Sequence, residues 1–299
     1  MNPSEVDFVI YHGGCVDGFG AAWAAWKLLG DKATYFPAYH NAPPPNVTGK
    51  NVAILDFAYS ENVTKDLSEQ AKSIVILDHH ISNKDALSNF DFAIFDMSRS
   101  GAMMSWEFFH SKKSPPLLIQ YIQDRDLWKW QLPNSREFSA GFHETSFSFD
   151  EYDKYLKTSE IDRAIIRGSH ILKHMDEVIK NISKDACDRT LFETYKCKVV
   201  NSSAYRSEVG NFLASQCDGI GVVWFFNHKT QSVQISFRSN DEKNDVAKIC
   251  KLLKNAGFAF NETTNVGGHS KAAGFVMSSK YTIEDIFSLD KSHLMNSDV

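Results

Sequence analysis

The sequence predicts an α/β protein with two domains: an N-terminal, mainly parallel sheet flanked by helices, and a smaller C-terminal α/β domain. Two observations predict this fold class. Short apolar runs alternate with helix-permissive segments through the first half of the chain, which is the pattern of right-handed βαβ units. A second set of strand-like runs begins near residue 196, and 299 residues are enough for two domains. We place the first domain at residues 1–180, a connector at 181–195 and the second domain at 196–299.

The elements of the first domain follow from apolar runs and helical spacing. Buried strands are expected at residues 8–11, 52–55, 73–77 and 92–95. Helices are expected at residues 21–29, where Gly30 ends the apolar pattern, at 61–71 and at about 101–110. Residues 150–182 are charged and helix-permissive, which indicates a helical connecting segment.

The second domain has its own strands. Residues 197–200, 221–226 and 233–237 are strand-like, and the last of these alternates as a half-buried strand does. A helix at about 245–254 and a glycine-rich turn at 266–268 follow.

Composition and charge exclude several classes of protein. Charged residues make up 23% of the chain and hydrophobic residues 43%, which is typical of a globular protein. A net charge of −5 excludes a broadly basic surface that coats nucleic acid. No apolar run approaches the roughly 18 residues of a membrane span, and no signal peptide is visible. Five dispersed cysteines without a CxxC pair favour reduced thiols, so we expect a cytoplasmic protein without a membrane partner.

Each of the first three predicted strands is followed by residues that can bind a metal ion. His12 and Asp17 follow the first strand, Asp56 follows the second, and the triplet at 78–80, Asp-His-His, follows the third. The carboxyl ends of parallel strands meet at one edge of a sheet, where such sheets bind ligands. Asp56 alone could equally be a turn or cap residue. Three strands with the same feature favour a shared site.

The residue types indicate which metal this site would take. Carboxylates mixed with imidazoles, without thiolate pairs, suit Mn²⁺ or a similar divalent ion rather than structural zinc. More than three carboxylates in one cleft require more than one cation, and two ions about 3.5–4 Å apart can share a bridging carboxylate. The sequence therefore predicts two divalent cations and metal-dependent hydrolysis of phosphoesters.

These residues resemble a known family. The segment 77–80, Leu-Asp-His-His, with Asp56 upstream and an Asp17-Gly18 turn, is similar to the DHH phosphoesterase superfamily. Residues 267–275, Gly-Gly-His-Ser-Lys-Ala-Ala-Gly-Phe, resemble the GGHxxAAG signature of the DHHA1 domain. The matches span residues 8–275 in the order of the family, whose members include RecJ exonucleases, nano-RNA hydrolases, cyclic dinucleotide phosphodiesterases and exopolyphosphatases.

The resemblance implies a role for each matching residue. The implied metal ligands are His12, Asp17, Asp56, His79 and Asp124, with Asp126 as the competitor of Asp124. Asp56 looks like the carboxylate that bridges both cations. The family usually has an Asp-x-Asp-Gly turn in its first motif, and here Cys15 stands at the first of these aspartates. Either a Cys15 thiolate also binds one of the two cations, or His12 binds that cation in its place and the protein contributes less negative charge there.

Further residues are implied in catalysis and substrate binding. His80 would face the substrate phosphate as an acid or orienting group, Asp78 would fix an imidazole tautomer, and Asp56 would complete the catalytic set. In the second domain, which in the family closes over the metal site, the Gly267-Gly268 backbone, His269 and Arg238 would bind the phosphate. Arg99 and Ser100, just before a helix start, are candidates for another anion contact.

The sequence thus predicts a Mn²⁺-dependent phosphodiesterase or exonuclease that acts on short oligonucleotides or small, including cyclic, nucleotides. The alternatives are a phosphomonoesterase or exopolyphosphatase with the same metals, and a nucleotide-binding module without turnover, which Cys15 keeps open. The oligomeric state is open, with a homodimer among the arrangements allowed.

Trp23 and Trp26 are expected to pack their helix against the rest of the domain. For Trp128 and Trp130, core packing is favoured over a position in the wall of the cleft.

Overall fold

The chain folds as two units, Met1–Lys173 and His174–Val299, in a computed structural model that describes residues 1–40, 42–241, 243–261 and 267–292. The division falls within one long helix, Thr158–Ser183. The stretch 181–195, predicted as a connector, contains a strand of the second unit, Cys187–Leu191. In the described parts of the chain, no helix combines the length and apolarity that a membrane span requires.

Unit 1 contains an all-parallel sheet, which confirms the predicted fold class. Its five strands have the spatial order β2-β1-β3-β4-β5. They are β1 Phe8–His12, β2 Thr34–Ala38, β3 Asn51–Leu55, β4 Ser73–Asp78 and β5 Ala93–Phe95. Strand β2, which was not among the predicted strands, lies at one edge and contains Pro37, a residue that an edge strand tolerates.

Helices cover both faces of this sheet. The helices of unit 1 are α1 Val16–Leu29, α2 Glu61–Gln70, α3 Ile81–Lys84, α4 Gly101–Phe109, α5 Leu117–Asp126, α6 Ser135–Phe142, α7 Phe149–Lys154 and the first part of α8 Thr158–Ser183. On one face Val9 and Leu55 pack with residues of α1 and α4. On the other face Ile10 and Ile54 pack with Leu67 of α2. Burial on both faces explains why the strands are continuous apolar runs.

Helix α1 begins at Val16, five residues before the predicted start. Gly18 and Gly20 hide this start, because glycine is a weak helix former. Close contacts explain both residues: a Cβ at position 18 would lie 2.3 Å from the carbonyl oxygen of His12. A Cβ at position 20 would lie 3.0 Å from Ile122 of α5.

Unit 2 is built on a mixed six-stranded sheet with the order β10-β11-β9-β8-β7-β6, in which only β7 and β8 are parallel among the described pairs. Its strands are β6 Cys187–Leu191, β7 Tyr195–Asn201, β8 Ile220–Asn227, β9 Ser232–Ser239, β10 Gly267–His269 and β11 Ala272–Ser278. Its helices, after α8, are α9 Arg206–Cys217, α10 Val246–Asn255 and α11 Ile283–Phe287.

The two faces of the second sheet are covered by different helices. Val223 packs with Val209 and Leu213 of α9, whereas Val222 packs in the cluster that contains Ile249 of α10. The predicted glycine-rich turn at 266–268 is corrected here: Gly267 and Gly268 belong to β10, paired with β11, and residue 266 lies outside the described residues.

Replacing Trp23 by alanine should lower the free energy of unfolding by about 3–5 kcal/mol, because the substitution leaves a large cavity in the core. The Trp23 side chain is fully buried and stacks on Trp106 with ring centroids 5.9 Å apart. Denaturant unfolding followed by near-UV circular dichroism measures the change. Leu28→Ala on the same helix is the control, since Leu28 is 42% exposed and its loss should cost no more than about 0.5 kcal/mol. Equal losses for both variants would contradict the packing described.

Candidate metal centre

The candidate site lies at the carboxyl edge of the parallel sheet in unit 1. Strand β1 ends at His12, Asp56 follows β3, and β4 ends at Asp78 with His79 directly after it. Pairing of β3 with both β1 and β4 holds these strand ends side by side. The parallel register therefore brings residues from three strands to one place.

Asp56 lies at the centre of this edge. The residue is 1% exposed and has a left-handed backbone with φ 55°, and its amide donates to the Leu77 carbonyl oxygen at 2.8 Å. Its two carboxylate oxygens face different imidazoles. Oδ1 lies 3.1 Å from His79 Nε2, and Oδ2 lies 3.5 Å from His12 Nδ1. One carboxylate therefore connects two groups of side chains.

Asp17 is held by the first turn of α4. Its Oδ2 accepts from the amide of Gly101 at 2.6 Å and its Oδ1 from the amide of Ala102 at 3.0 Å. Amides at a helix start are unpaired donors with a partial positive charge, so they stabilise a buried carboxylate. Asp17 Oδ2 also lies 3.6 Å from His79 Nε2.

Gly101 is a residue of the site that the sequence marked only as a helix start. A Cβ at this position would lie 2.4 Å from the Cβ of Asp56. Only glycine lets the start of α4 approach Asp56 this closely. The signal in the sequence was a glycine directly after the Ser100 cap, and this signal alone does not reveal a tertiary contact.

The structure brings Asp126, and not Asp124, to the candidate metal ligands. Asp126 Oδ2 lies 3.5 Å from His79 Nε2. The carboxylate of Asp124 instead accepts from the amides of Gln131 at 3.0 Å and Leu132 at 3.2 Å. The geometry therefore places Asp126 beside His79, whereas Asp124 fixes the loop after α5.

Asp78 is fully buried and surrounded by donors. Its Oδ1 accepts from the amides of His79 and His80 at 2.8 and 3.2 Å, and it lies 2.7 Å from His80 Nδ1. Its Oδ2 accepts from the side-chain amide of Asn83 at 2.8 Å. Asn83 was not among the predicted residues. The contact with Asp78 assigns the proton to Nδ1 of His80, and the His80 side chain is 30% exposed.

Burial and close charges shift the pKa values of the carboxylates and of His79 at this edge, and the direction of the shift differs among them. The pKa of the Asp17 carboxyl is raised by burial and by the nearby charges of Asp56 and Asp126. Burial also raises the pKa of the Asp126 carboxyl. For Asp56, burial acts in the same direction, but the contacts with His12 and His79 outweigh it and hold its pKa below the usual range. Burial lowers the pKa of His79, but the hydrogen bond to Asp56 and the charges of Asp17 and Asp126 together outweigh burial and raise it.

Cys15 lies close to the same edge. Its sulfur is within 4.8 Å of ligand atoms of His12 and Asp56. Burial raises the pKa of the Cys15 thiol, and the charges of Asp56 and Asp17 raise it further. The thiol is therefore neutral here unless a cation offsets the surrounding negative charge.

Two other predicted residues of unit 1 already have partners. The Arg99 guanidinium binds the carboxylates of Asp96 and Glu107. The Ser100 hydroxyl caps α4 by accepting from the amide of Met103 at 3.3 Å, and the Ser100 amide donates to Gln123. The structure does not place either side chain among the candidate metal ligands.

The predicted substrate-binding residues of unit 2 lie on neighbouring strands. Arg238 of β9 pairs with Ala272 of β11, and Ala272 pairs with His269 of β10. Directly paired residues point to the same face of a sheet, so a small alanine stands between a guanidinium and an imidazole. Arg238 Nη2 donates to the Ser207 hydroxyl at 2.8 Å. At position 268, φ is 148° and a Cβ would lie 2.3 Å from the Ala272 carbonyl oxygen, so glycine is required beside this row.

The residues at the sheet edge fit divalent cations. Within the described part of unit 1, three sets have ligand atoms within 4.8 Å of one another: His12, Cys15 and Asp56; Asp17, His79 and Asp126; and Asp56, Asp78 and His80. Within the described residues, the buried atoms at this edge that have no hydrogen-bond partner include His12 Nδ1, Asp56 Oδ2 and Asp126 Oδ2. Buried polar atoms are rarely left in this state, and an ion that binds them resolves the deficit. Oxygen and imidazole ligands suit Mn²⁺ or Mg²⁺.

The fold of this chain, with its five-stranded parallel sheet, is similar to that of DHH-domain proteins. The DHH domain of a protein described as a member of a ribosomal protein family has a TM-score of 0.59 and 12% identity, with 96% of this chain and 88% of that chain covered. RecJ from Thermus thermophilus, solved with Mn²⁺, has a TM-score of 0.53 and 13% identity over 98% of this chain and 52% of RecJ. These similarities confirm the resemblance at the level of the fold.

Two further proteins are similar to this chain, one in structure and one in sequence. An exopolyphosphatase-related protein from Bacteroides fragilis has a TM-score of 0.50 and 13% identity, with 98% of this chain and 91% of that chain covered. In sequence, the chain is 29% identical over 301 residues to an uncharacterized protein of Acanthamoeba polyphaga mimivirus, and the match covers 93% of this chain and 69% of the viral protein. No family model matches the chain.

The variants Asp126→Asn and Asp124→Asn should separate a metal ligand from a loop anchor. Asp126→Asn should lower the affinity for Mn²⁺ more than about tenfold, because even residues that only support a ligand cost that much. Asp124→Asn should lower stability by about 1–3 kcal/mol, since an amide nitrogen would then face a backbone N–H. Calorimetric titration with Mn²⁺ and thermal unfolding measure the two effects. Loss of Mn²⁺ binding in Asp124→Asn alone would reverse the assignment.

Proposed function

We propose that this chain is a metal-dependent phosphoesterase whose centre is the carboxyl edge of the sheet in unit 1. The observation that carries the proposal is the position of Asp56, whose two oxygens face His12 on one side and His79 on the other. Asp56 would hold one cation together with the side chains on its His12 side and another with those on its His79 side.

The proposed ligands divide into two sets around Asp56. His12 and Cys15 lie on one side, and Asp17, His79 and Asp126 lie on the other. When bound, a pair of Mn²⁺ ions supplies an activated water and neutralises charge on the phosphoryl oxygens. The unpartnered atoms of His12, Asp56 and Asp126 support this assignment. Cys15 in place of a carboxylate lowers the negative charge around the first ion, which favours a weaker or more selective site.

We infer that His80 and Asp78 together provide the proton for the leaving oxygen of the substrate. His80 donates its Nδ1 proton to Asp78, and this contact raises the pKa of His80 against the effect of burial. An imidazole with a raised pKa and a partly exposed ring is suited to hold a proton for a departing oxygen. Asn83 fixes the other oxygen of Asp78, so the pair keeps one orientation. We assign His80 as the general acid and Asp78 as its positioning residue.

The proposed substrates are short oligonucleotides or small nucleotides, including cyclic ones. The net charge of −5 disfavours long nucleic acid, which gains affinity from many phosphate contacts. The Arg238, Ala272 and His269 row, with the Gly267-Gly268 backbone beside it, supports an anion-binding function for unit 2, as in a DHHA1 domain. The fold shared with an exopolyphosphatase-related protein keeps polyphosphate as the second candidate substrate. Cytoplasmic location and oligomeric state stay predictions.

Incubation with Mn²⁺ and a panel of substrates tests this function. The panel contains 5′-labelled di- to pentanucleotides, cyclic dinucleotides, 3′-phosphoadenosine 5′-phosphate and polyphosphate. We expect release of mononucleotides, loss of activity with EDTA and recovery with Mn²⁺. Release of phosphate from polyphosphate alone would favour the second candidate. Tight binding of nucleotides without turnover would show that the chain is a binding module.

Asp56→Asn should lower kcat about 100-fold or more, because the variant loses the carboxylate that both sets of ligands share. Steady-state kinetics on the best substrate, with the Mn²⁺ stoichiometry from calorimetry, measure this effect. Asp66→Asn is the matched control, since Asp66 is exposed on α2 and belongs to neither set of metal-ligating residues. Turnover by Asp56→Asn at the parent rate would refute the bridging role.

A further inference from the structure

Two tryptophans of unit 1 lie outside the hydrophobic core. Of the six tryptophans in the chain, Trp23 and Trp106 are core residues, and Trp26 and Trp224 pack against core clusters. Trp128 and Trp130 belong to none of the clusters among the described residues and are partly exposed. The expectation that these two pack in the core is therefore wrong, and their position requires another explanation.

The backbone of both residues is strained. Trp128 has φ 54° and Trp130 has φ 51°, in the left-handed region that bulky residues rarely adopt. Such conformations persist only where neighbouring contacts fix them, and they cluster at binding and active sites. Trp128 and Trp130 are separated by one residue and both have this backbone conformation. We infer that their surroundings fix the orientation of both rings.

Hydrogen bonds to the end of α5 fix this loop. The amide of Trp128 donates to the Arg125 carbonyl oxygen at 3.0 Å, and the amide of Lys129 donates to the Asp124 carbonyl oxygen at 2.9 Å. The Asp124 carboxylate accepts from the amides of Gln131 and Leu132. The rings are therefore carried by a segment whose backbone is held on both sides of them.

A guanidinium lies against both rings. The Cζ atom of Arg125 is 4.4 Å from the centroid of the Trp128 ring and 5.5 Å from that of Trp130. The two rings are 5.0 Å apart at an interplanar angle of 72°. Stacked cations and indoles form a rigid surface that is both apolar and positive. The next residue after Arg125 is Asp126, which lies 3.5 Å from His79 in the metal centre.

We propose that Arg125, Trp128 and Trp130 form a stacking platform for a nucleobase of the substrate. The proposal rests on the phosphoesterase function proposed above, and it narrows the substrate class to nucleotides rather than polyphosphate. Every base offers a π-face to an aromatic ring, and single-strand-binding proteins use the same contact. The positive guanidinium matches a nucleotide, whose phosphate would bind at the metal centre that contains Asp126, the next residue after Arg125. Purines, which have the larger π-surface, should bind more tightly than pyrimidines.

Matched variants distinguish stacking from a structural role. Trp128→Leu and Trp130→Leu, singly and together, keep apolar bulk without a π-face, whereas Trp128→Phe and Trp130→Phe keep the ring. Binding of AMP and of ribose 5-phosphate is measured by calorimetry in the presence of Mn²⁺, with tryptophan fluorescence as a second signal. Trp26→Phe, which changes a tryptophan packed against the core, is the control.

We expect the leucine variants to bind AMP at least about fivefold more weakly, the fold-change expected from the loss of one stacked base. The phenylalanine variants should stay close to the parent, and the affinity for ribose 5-phosphate should not change in any variant. If leucine and phenylalanine variants bind AMP equally well, the platform is refuted. Equal weakening of AMP and ribose 5-phosphate would also refute it, because the loop would then only support the metal centre.

The outcome also separates this inference from the proposed function. Hydrolysis of dinucleotides by the leucine variants at the parent KM would refute the platform and leave the phosphoesterase intact. AMP binding that depends on the tryptophan rings, without hydrolysis of any substrate, would support the platform and refute the enzyme. Thermal unfolding of each variant identifies any that fail to fold. The affinities of the parent for AMP and for UMP then carry the test, and equal affinities would refute the platform.

Discussion

The structure of unit 1 depends on one electrostatic constraint: several carboxylates are buried side by side at the carboxyl edge of a parallel sheet. Two such charges about 4 Å apart repel by about 4 kcal/mol at an effective dielectric constant of about 20. Asp17 is offset by two amides of α4, and Asp78 by the amide and side-chain donors that follow it. Asp56 and Asp126 face imidazoles and leave an oxygen each without a hydrogen bond among the described residues. The negative charge that the fold leaves unbalanced is the charge that cations would neutralise.

The left-handed backbone of Asp56 is part of the same arrangement of buried carboxylates. A left-handed non-glycine residue costs about 1–3 kcal/mol and persists only where its surroundings fix it. Here the Asp56 amide is bonded to the Leu77 carbonyl oxygen in β4, and Gly101 brings the start of α4 against its side chain. The carboxylate is therefore positioned by the fold itself. Burial and the charges of Asp56 and Asp126 raise the pKa of Asp17, so protons and cations compete for the carboxylates at this edge.

The sequence predicted the parts of this arrangement that have local signals. Apolar runs located four strands of the parallel sheet, and parallel connectivity placed the acids after them at one edge. Strand β2 has no such signal, since its residues are mostly half-buried and include a proline. The sequence also could not decide whether Asp124 or Asp126 lies beside His79. Residues two apart on a helix point about 200° apart, so only the rotation of α5 against the sheet selects one of them.

The loop after α5 shows what the local rules leave out. A sequence that follows its local preferences throughout would not place two tryptophans in left-handed conformations, and such violations concentrate where function requires them. The positions of Asp124 and of the two tryptophans in this segment therefore have one explanation. Asp124 fixes the loop by binding the amides of Gln131 and Leu132, and the loop holds the rings in place. Its helix ends in Asp126, so the same short segment joins the metal centre to the proposed base-binding surface. A rigid connection between them would align the phosphate of a nucleotide whenever its base is stacked.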